Sequence, residues 1–97
     1  MKRIILVIIL TISNISYAGI ETDKAVGNCT AYLATRQKEL GMRAALAMAD
    51  KQNRAMQFAD IWLKQLERYK NNENMISGMV YSASSDCRKI GIRPADY

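Results

Sequence analysis

Two cysteines constrain the fold of this chain more than any other feature of its sequence. Cys29 and Cys87 are its only cysteines, and they lie 58 positions apart. A disulfide requires alpha carbons within about 7 Å of each other. One intramolecular pairing is available, and a bridge between two copies of the chain is the alternative. The intramolecular bridge would stabilise the fold by about 4 kcal/mol in the chain-entropy model.

The start of the chain has the three-part pattern of a secretory signal peptide. A positive start precedes an apolar run over residues 4–12, and residues 13–18 are smaller and more polar. Ser16 and Ala18 fit the −3 and −1 positions of a cleavage site, which makes Gly19 the first residue of the mature protein.

The rival interpretation of this segment is an uncleaved membrane anchor. A spanning helix needs about 20 apolar residues, whereas the apolar run is roughly half that length. Cleavage is therefore favoured, and it divides the chain into a signal peptide of residues 1–18 and one small domain of residues 19–97. Export to a periplasm or out of the cell also suits a disulfide, because these compartments are oxidising.

Three stretches of the mature segment have the apolar spacing of amphipathic helices, and none alternates for long like a strand. We expect the first helix to begin after Asp23 and to continue through Gly41 to about Ala49, because residues 42–49 favour helix and offer no new N-cap. The second is expected from about Gln52 to Lys70 and the third from about Met75 to Ile90. The asparagine-rich turn before the third helix should cap it, and Gly91 should end it.

The cysteines decide how these helices are arranged. In a regular up-down-up bundle Cys29 and Cys87 would lie at opposite ends, more than roughly 15 Å apart. We therefore predict an all-α fold in which a helical hairpin turns near Asp50, whose side chain caps the second helix. A third, shorter helix folds across the open end of the hairpin, and the Cys29–Cys87 disulfide closes it.

The sequence offers no constellation typical of catalysis or metal binding. It has no histidine, which removes the commonest general base and the commonest metal ligand. Two cysteines used in a disulfide cannot form a four-ligand zinc site, and Ser82, Ser84 and Ser85 have no histidine to activate them. We predict that the protein is not an enzyme and that it holds no metal and no cofactor.

Aromatic and methionine side chains are numerous for so small a domain. Most are expected in the core, but a two-pass hairpin cannot bury all of them, and exposed apolar patches usually mark a partner. Aromatic side chains anchor such interfaces and methionines adapt to them. Phe58, Trp62 and Tyr69 form the predicted partner-binding patch.

The charge of the chain is mildly positive. The net charge of +5 falls to +3 if Lys2 and Arg3 leave with the signal peptide. This excess suits an acidic partner or an anionic lipid surface and is too small to indicate nucleic-acid binding. Arg88, Lys89 and Arg93 are the predicted contacts with such an anionic surface, and a solvated terminus is the alternative.

These features favour a periplasmic or secreted binding protein that acts through contact with another exported or envelope protein. A chaperone, an inhibitor, an immunity factor and an accessory subunit of an envelope assembly all belong to this class. The alternative is a membrane-active protein, such as a lysis factor or a toxin, that places amphipathic basic helices on a bilayer.

Overall fold

The computed structural model describes the backbone of residues 2–97 and the side chains of residues 19–97. The described backbone forms no strand. It forms the helices α1 (Lys2–Thr35), α2 (Glu39–Ala47), α3 (Gln52–Arg68) and α4 (Glu73–Lys89), followed by a 3-10 turn over Pro94–Asp96. The side chains of the predicted signal peptide, residues 1–18, lie outside the described residues, so its cleavage stays a prediction.

The prediction of an all-α, disulfide-closed fold is confirmed. Cys29 of α1 is bonded to Cys87 of α4, with their alpha carbons 4.8 Å apart, and both side chains are fully buried. α2, α3 and α4 all pack on α1, and the contact of α1 with α3 is the most extensive. α3 and α4 make hardly any contact with each other.

α1 and α3 approach each other most closely at Gly27. A Cβ atom added at Gly27 would lie 2.4 Å from the backbone carbonyl oxygen of Ala55 and 2.5 Å from the Cβ of Phe58. Ala55 and Ala59, which face this point from α3, are buried. Because the nearest neighbour is a backbone atom, no flexible side chain can move aside for a larger residue. Glycine therefore lets the two helix backbones touch.

A carboxylate supplied by α1 caps the start of α3. The fully buried Asp23 accepts hydrogen bonds from the backbone N–H groups of Asp50 at 2.7 Å and Lys51 at 3.1 Å. Its carboxylate also pairs with the Nε of Arg54 at 2.7 Å. Such N–H groups have no partner within their own helix, and a negative charge there complements the helix dipole.

The expectation that Asp50 caps this helix is wrong. The side chain of Asp50 pairs with Arg54 at 3.4 Å, and the N-cap residue is Lys51, whose own side chain makes no capping hydrogen bond.

The expectation of one helix from after Asp23 through Gly41 to Ala49 is also wrong at both ends, because α1 spans Lys2–Thr35. Gln37 adopts a left-handed φ of 57°, and the N–H of Lys38 donates to the Leu33 carbonyl at 3.0 Å. This pattern terminates a helix. The break lets α2 fold back, so that the buried Gly41 packs against Leu33.

Both ends of α4 follow signals carried by the sequence. The Oδ1 of Asn72 accepts a hydrogen bond from the N–H of Met75 at 3.2 Å, which confirms the expected cap. Gly91 adopts a φ of 80°, and the N–H of Ile92 donates to the Cys87 carbonyl at 2.9 Å. This confirms the expected stop at Gly91, and the buried Ile92 returns the chain to the core.

We expect Gly27→Ala to lower the free energy of unfolding by about 1–3 kcal/mol, because the added methyl group meets the backbone of α3. Gly78→Ala is the matched control. It also replaces a helical glycine, but a Cβ at Gly78 meets nothing within 4 Å. It should raise the free energy of unfolding by about 0.5–1 kcal/mol through helix propensity alone. Urea unfolding of the oxidised protein measures both, and an unchanged or raised stability of Gly27→Ala would contradict the close approach.

We expect Asp23→Asn to lower the free energy of unfolding by about 2–4 kcal/mol, because it leaves Arg54 and two N–H groups without their charged acceptor. Asp60→Asn is the control, since Asp60 pairs with Lys64 on the exposed side of α3. Exposed pairs contribute less than about 1 kcal/mol. In thermal unfolding, the melting temperature of Asp23→Asn should be clearly lower than that of Asp60→Asn. Similar melting temperatures would show that Asp23 is not a structural cap.

Candidate protein-binding groove

A groove runs between α3 and α4, with α1 along its floor. Its volume is about 510 Å³, and it stays open because its two walls pack on α1 rather than on each other. We call it the α3/α4 groove. Five apolar side chains line it: Phe58, Ile61, Trp62, Met75 and Met79. The remaining lining residues are polar or small: Lys24, Asn28, Gln65, Asn74, Gly78 and Ser82.

Two of the three residues of the predicted partner-binding patch lie in this groove. Trp62 is only 5% exposed and belongs to the core as well as to the groove. Phe58 is half-buried in the wall formed by α3. Tyr69 is the C-cap residue of α3 and does not line the groove. The structure therefore brings Phe58 and Trp62 together and leaves Tyr69 apart.

Sequence reasoning missed the most exposed apolar side chains of the groove. Ile61 is 53% exposed on α3, and Met75 is 41% exposed at the start of α4. The spacing of Phe58, Ile61 and Trp62 does carry a signal, because residues three and four apart share one side of a helix. Met75 and Met79 have the same spacing, but their place in the groove depends on where α4 docks.

The apolar stripe expected on α3 differs from the face that is buried. Apolar spacing in the sequence predicts a stripe of Met56, Ala59, Leu63 and Leu66, widened by Phe58, Trp62 and Tyr69, but Met56 and Leu63 are exposed. The buried positions of this helix are Ala55, Ala59 and Trp62. Two of these three positions carry alanine because α3 lies directly against the backbone of α1 at Gly27.

At Gly78 the α4 wall of the groove has no side chain. A glycine inside a helix costs about 1 kcal/mol relative to alanine. A Cβ placed there would meet nothing within 4 Å, so packing within the described part of the chain does not require this glycine. Ser82, one helical turn later, also lines the groove. The backbone of α4 is therefore accessible at this point.

The charged groups around the groove are basic. Lys24 is the only charged residue that lines it. A shallow depression continues along α3 from Ile61 and carries Lys64 and Arg68. Lys64 pairs with Asp60 at 2.9 Å, whereas no described carboxylate forms an ion pair with Lys24 or Arg68. The groove thus has a lysine on its floor and an arginine in the adjoining depression that form no ion pair with a described carboxylate.

A second, polar cleft of about 400 Å³ lies between α1 and α4 beside the disulfide. Asp86 in this cleft accepts a hydrogen bond from the Nδ2 of Asn28 at 2.9 Å and pairs with the Nζ of Lys89 at 3.5 Å. These polar groups satisfy one another and fasten α4 to α1. The described residues contain no cluster of three or more side chains that could hold a metal ion.

The residues predicted to contact an anionic surface, Arg88, Lys89 and Arg93, are partly neutralised by their neighbours. Lys89 pairs with Asp86, and Arg93 pairs with Asp96 at 2.9 Å. Arg88 has no acidic partner among the described side chains. Two of the three predicted contacts are therefore already engaged by carboxylates of the same chain.

No protein-family model matches the chain, and no curated protein or solved structure shows significant similarity to it. Within the described residues, no helix combines the length and the apolar character needed to cross a membrane.

Proposed function

We propose that the protein is an exported binding protein that holds another exported or envelope protein in the α3/α4 groove. One observation carries this proposal: two helices fixed on α1 leave an open, apolar groove between them. Full burial of a side chain such as Ile61 or Met75 is worth about 1.5–3 kcal/mol. If a partner covers the groove, burial of these side chains would contribute this free energy to binding.

The fixed position of both walls supports binding. α3 is held on α1 by the contact at Gly27 and by the buried carboxylate of Asp23. α4 is held by the disulfide and by the hydrogen bond between Asn28 and Asp86. A preorganised surface loses little conformational entropy when it binds. A groove built in this way suits a stable complex with one defined partner.

The disulfide and the leader pattern support an exported location. Oxidising compartments preserve a bond such as Cys29–Cys87, and a small core gains most from it. A chaperone, an inhibitor, an immunity factor and an accessory subunit of an envelope assembly all fit this proposal. The membrane-active alternative has less support, because Lys89 and Arg93 pair with carboxylates and only Arg88 of the three predicted contacts has no acidic partner among the described side chains.

Site-specific photo-crosslinking tests the proposal. Benzoylphenylalanine is introduced at Ile61 in one variant and at Leu63 in another. Both side chains are exposed on α3, at 53% and 38%, but only Ile61 lines the groove. Tagged protein is expressed in its own host, irradiated in the intact envelope and captured under non-reducing conditions.

We expect the probe at position 61 to capture one protein in stoichiometric amount, and the probe at position 63 to capture roughly tenfold less of it, because the gain from burial is confined to the groove. Equal yields at the two positions would contradict groove binding. Recovery of lipid alone from both positions would favour the membrane-active alternative.

A further inference from the structure

We infer that the partner inserts an acidic amphipathic helix into the α3/α4 groove, an inference that rests on the proposed function and specifies its ligand. Shape is the first argument. The walls of the groove extend over residues 58–65 of α3 and 74–82 of α4, which is about 12 Å of each helix at 1.5 Å per residue. Two to three turns of a third helix fit between two such walls and pack against both.

The glycine of the α4 wall is the second argument. Gly78 weakens its own helix, and a Cβ there would meet nothing within 4 Å. Glycine at such a site permits the close approach of another backbone. Ser82 extends this low surface by one helical turn. An incoming helix can therefore lie directly on α4 at Gly78, in the same way that α3 lies on α1 at Gly27.

The apolar lining fixes one face of the incoming helix. Phe58 and Ile61 form one side of the groove, and Met75 and Met79 form the other. A helix with apolar residues at positions i, i+3, i+4 and i+7 presents a continuous stripe to such a lining. Methionine side chains can adjust to the shape of that stripe.

Charge determines the flanks of the incoming helix. Lys24 belongs to the floor of the groove, Arg68 lines the adjoining depression, and no acidic residue belongs to either lining. Glutamate or aspartate on the flanks of the apolar stripe would complement these two basic side chains. A second copy of this chain would bring the same basic side chains and be repelled. A flat anionic bilayer would meet the same charges but could not reach into a groove between two helices.

Peptide binding to the full-length oxidised protein tests this inference. The probes are two helical peptides of about 18 residues that share one leucine stripe and lack tryptophan. One carries glutamate at the flanking positions and the other carries lysine. The fluorescence of Trp62, the only tryptophan of the chain, reports occupation of the groove that it lines.

The acidic peptide should bind at least about tenfold more tightly than the basic one at low ionic strength. This preference should shrink as salt screens the charges of Lys24 and Arg68. Gly78→Leu, which fills the groove, should weaken binding of the acidic peptide by about tenfold or more. Ser77→Leu should leave it unchanged, because Ser77 is exposed on the same helix but does not line the groove.

Each contrary outcome has a distinct meaning. If the basic peptide binds as tightly as the acidic one, the charge assignment is overturned while groove binding stands. If Gly78→Leu binds like the unaltered protein, or if anionic vesicles change Trp62 fluorescence more than the peptide does, the helix docking mode is overturned. If neither peptide binds and the probe at Ile61 captures no protein, the proposed function fails together with the inference.

Discussion

The contact between the backbones of α1 and α3 at Gly27 determines most of what this protein exposes. Helices that touch at their backbones must place small residues between them, and α3 does so with Ala55 and Ala59. The larger apolar residues of α3 are then displaced to the edges of the contact. Phe58 and Ile61 consequently lie at the side that faces α4. The tight contact and the open groove are two results of one constraint.

The position of α4 follows from the geometry of the same stretch of α1. Successive residues of a helix point about 100° apart, so Gly27 and Cys29 face well-separated sides of α1. Gly27 holds α3, and Cys29 holds α4 through the disulfide. Asn28 and Lys24 point between these two directions and form the floor of the groove. Two helices anchored in this way cannot close on each other without leaving α1.

Features that depend on local signals were predictable from the sequence. The helical class, the cap at Asn72 and the stop at Gly91 follow from residues within a few positions of each other, and all three are confirmed. The disulfide was predictable because the chain contains a single pair of cysteines. The short distance that a disulfide requires between its alpha carbons also argued against a regular bundle and favoured the hairpin.

Features that depend on distant partners were not predictable. Asp23 caps α3 from 27 positions before Asp50, so no local pattern links the two. The break at Gln37 is stabilised by the return of α2 onto Leu33, which periodicity does not reveal. The sequence predicted only part of the groove. Phe58 could be recognised because it is aromatic, whereas Gly78 contributes to the groove through the absence of a side chain.

Methionine oxidation in the intact envelope would test the central claim, that the α3/α4 groove is the occupied surface of the exported protein. Met75 and Met56 have similar exposure, 41% and 49%, but only Met75 lines the groove. Peroxide should oxidise both at comparable rates in the purified protein. In the envelope, Met75 should be oxidised several-fold more slowly, on the order of the protection expected of a side chain buried by a partner, while Met56 keeps its rate. Equal oxidation of Met75 and Met56 in the envelope would contradict the account.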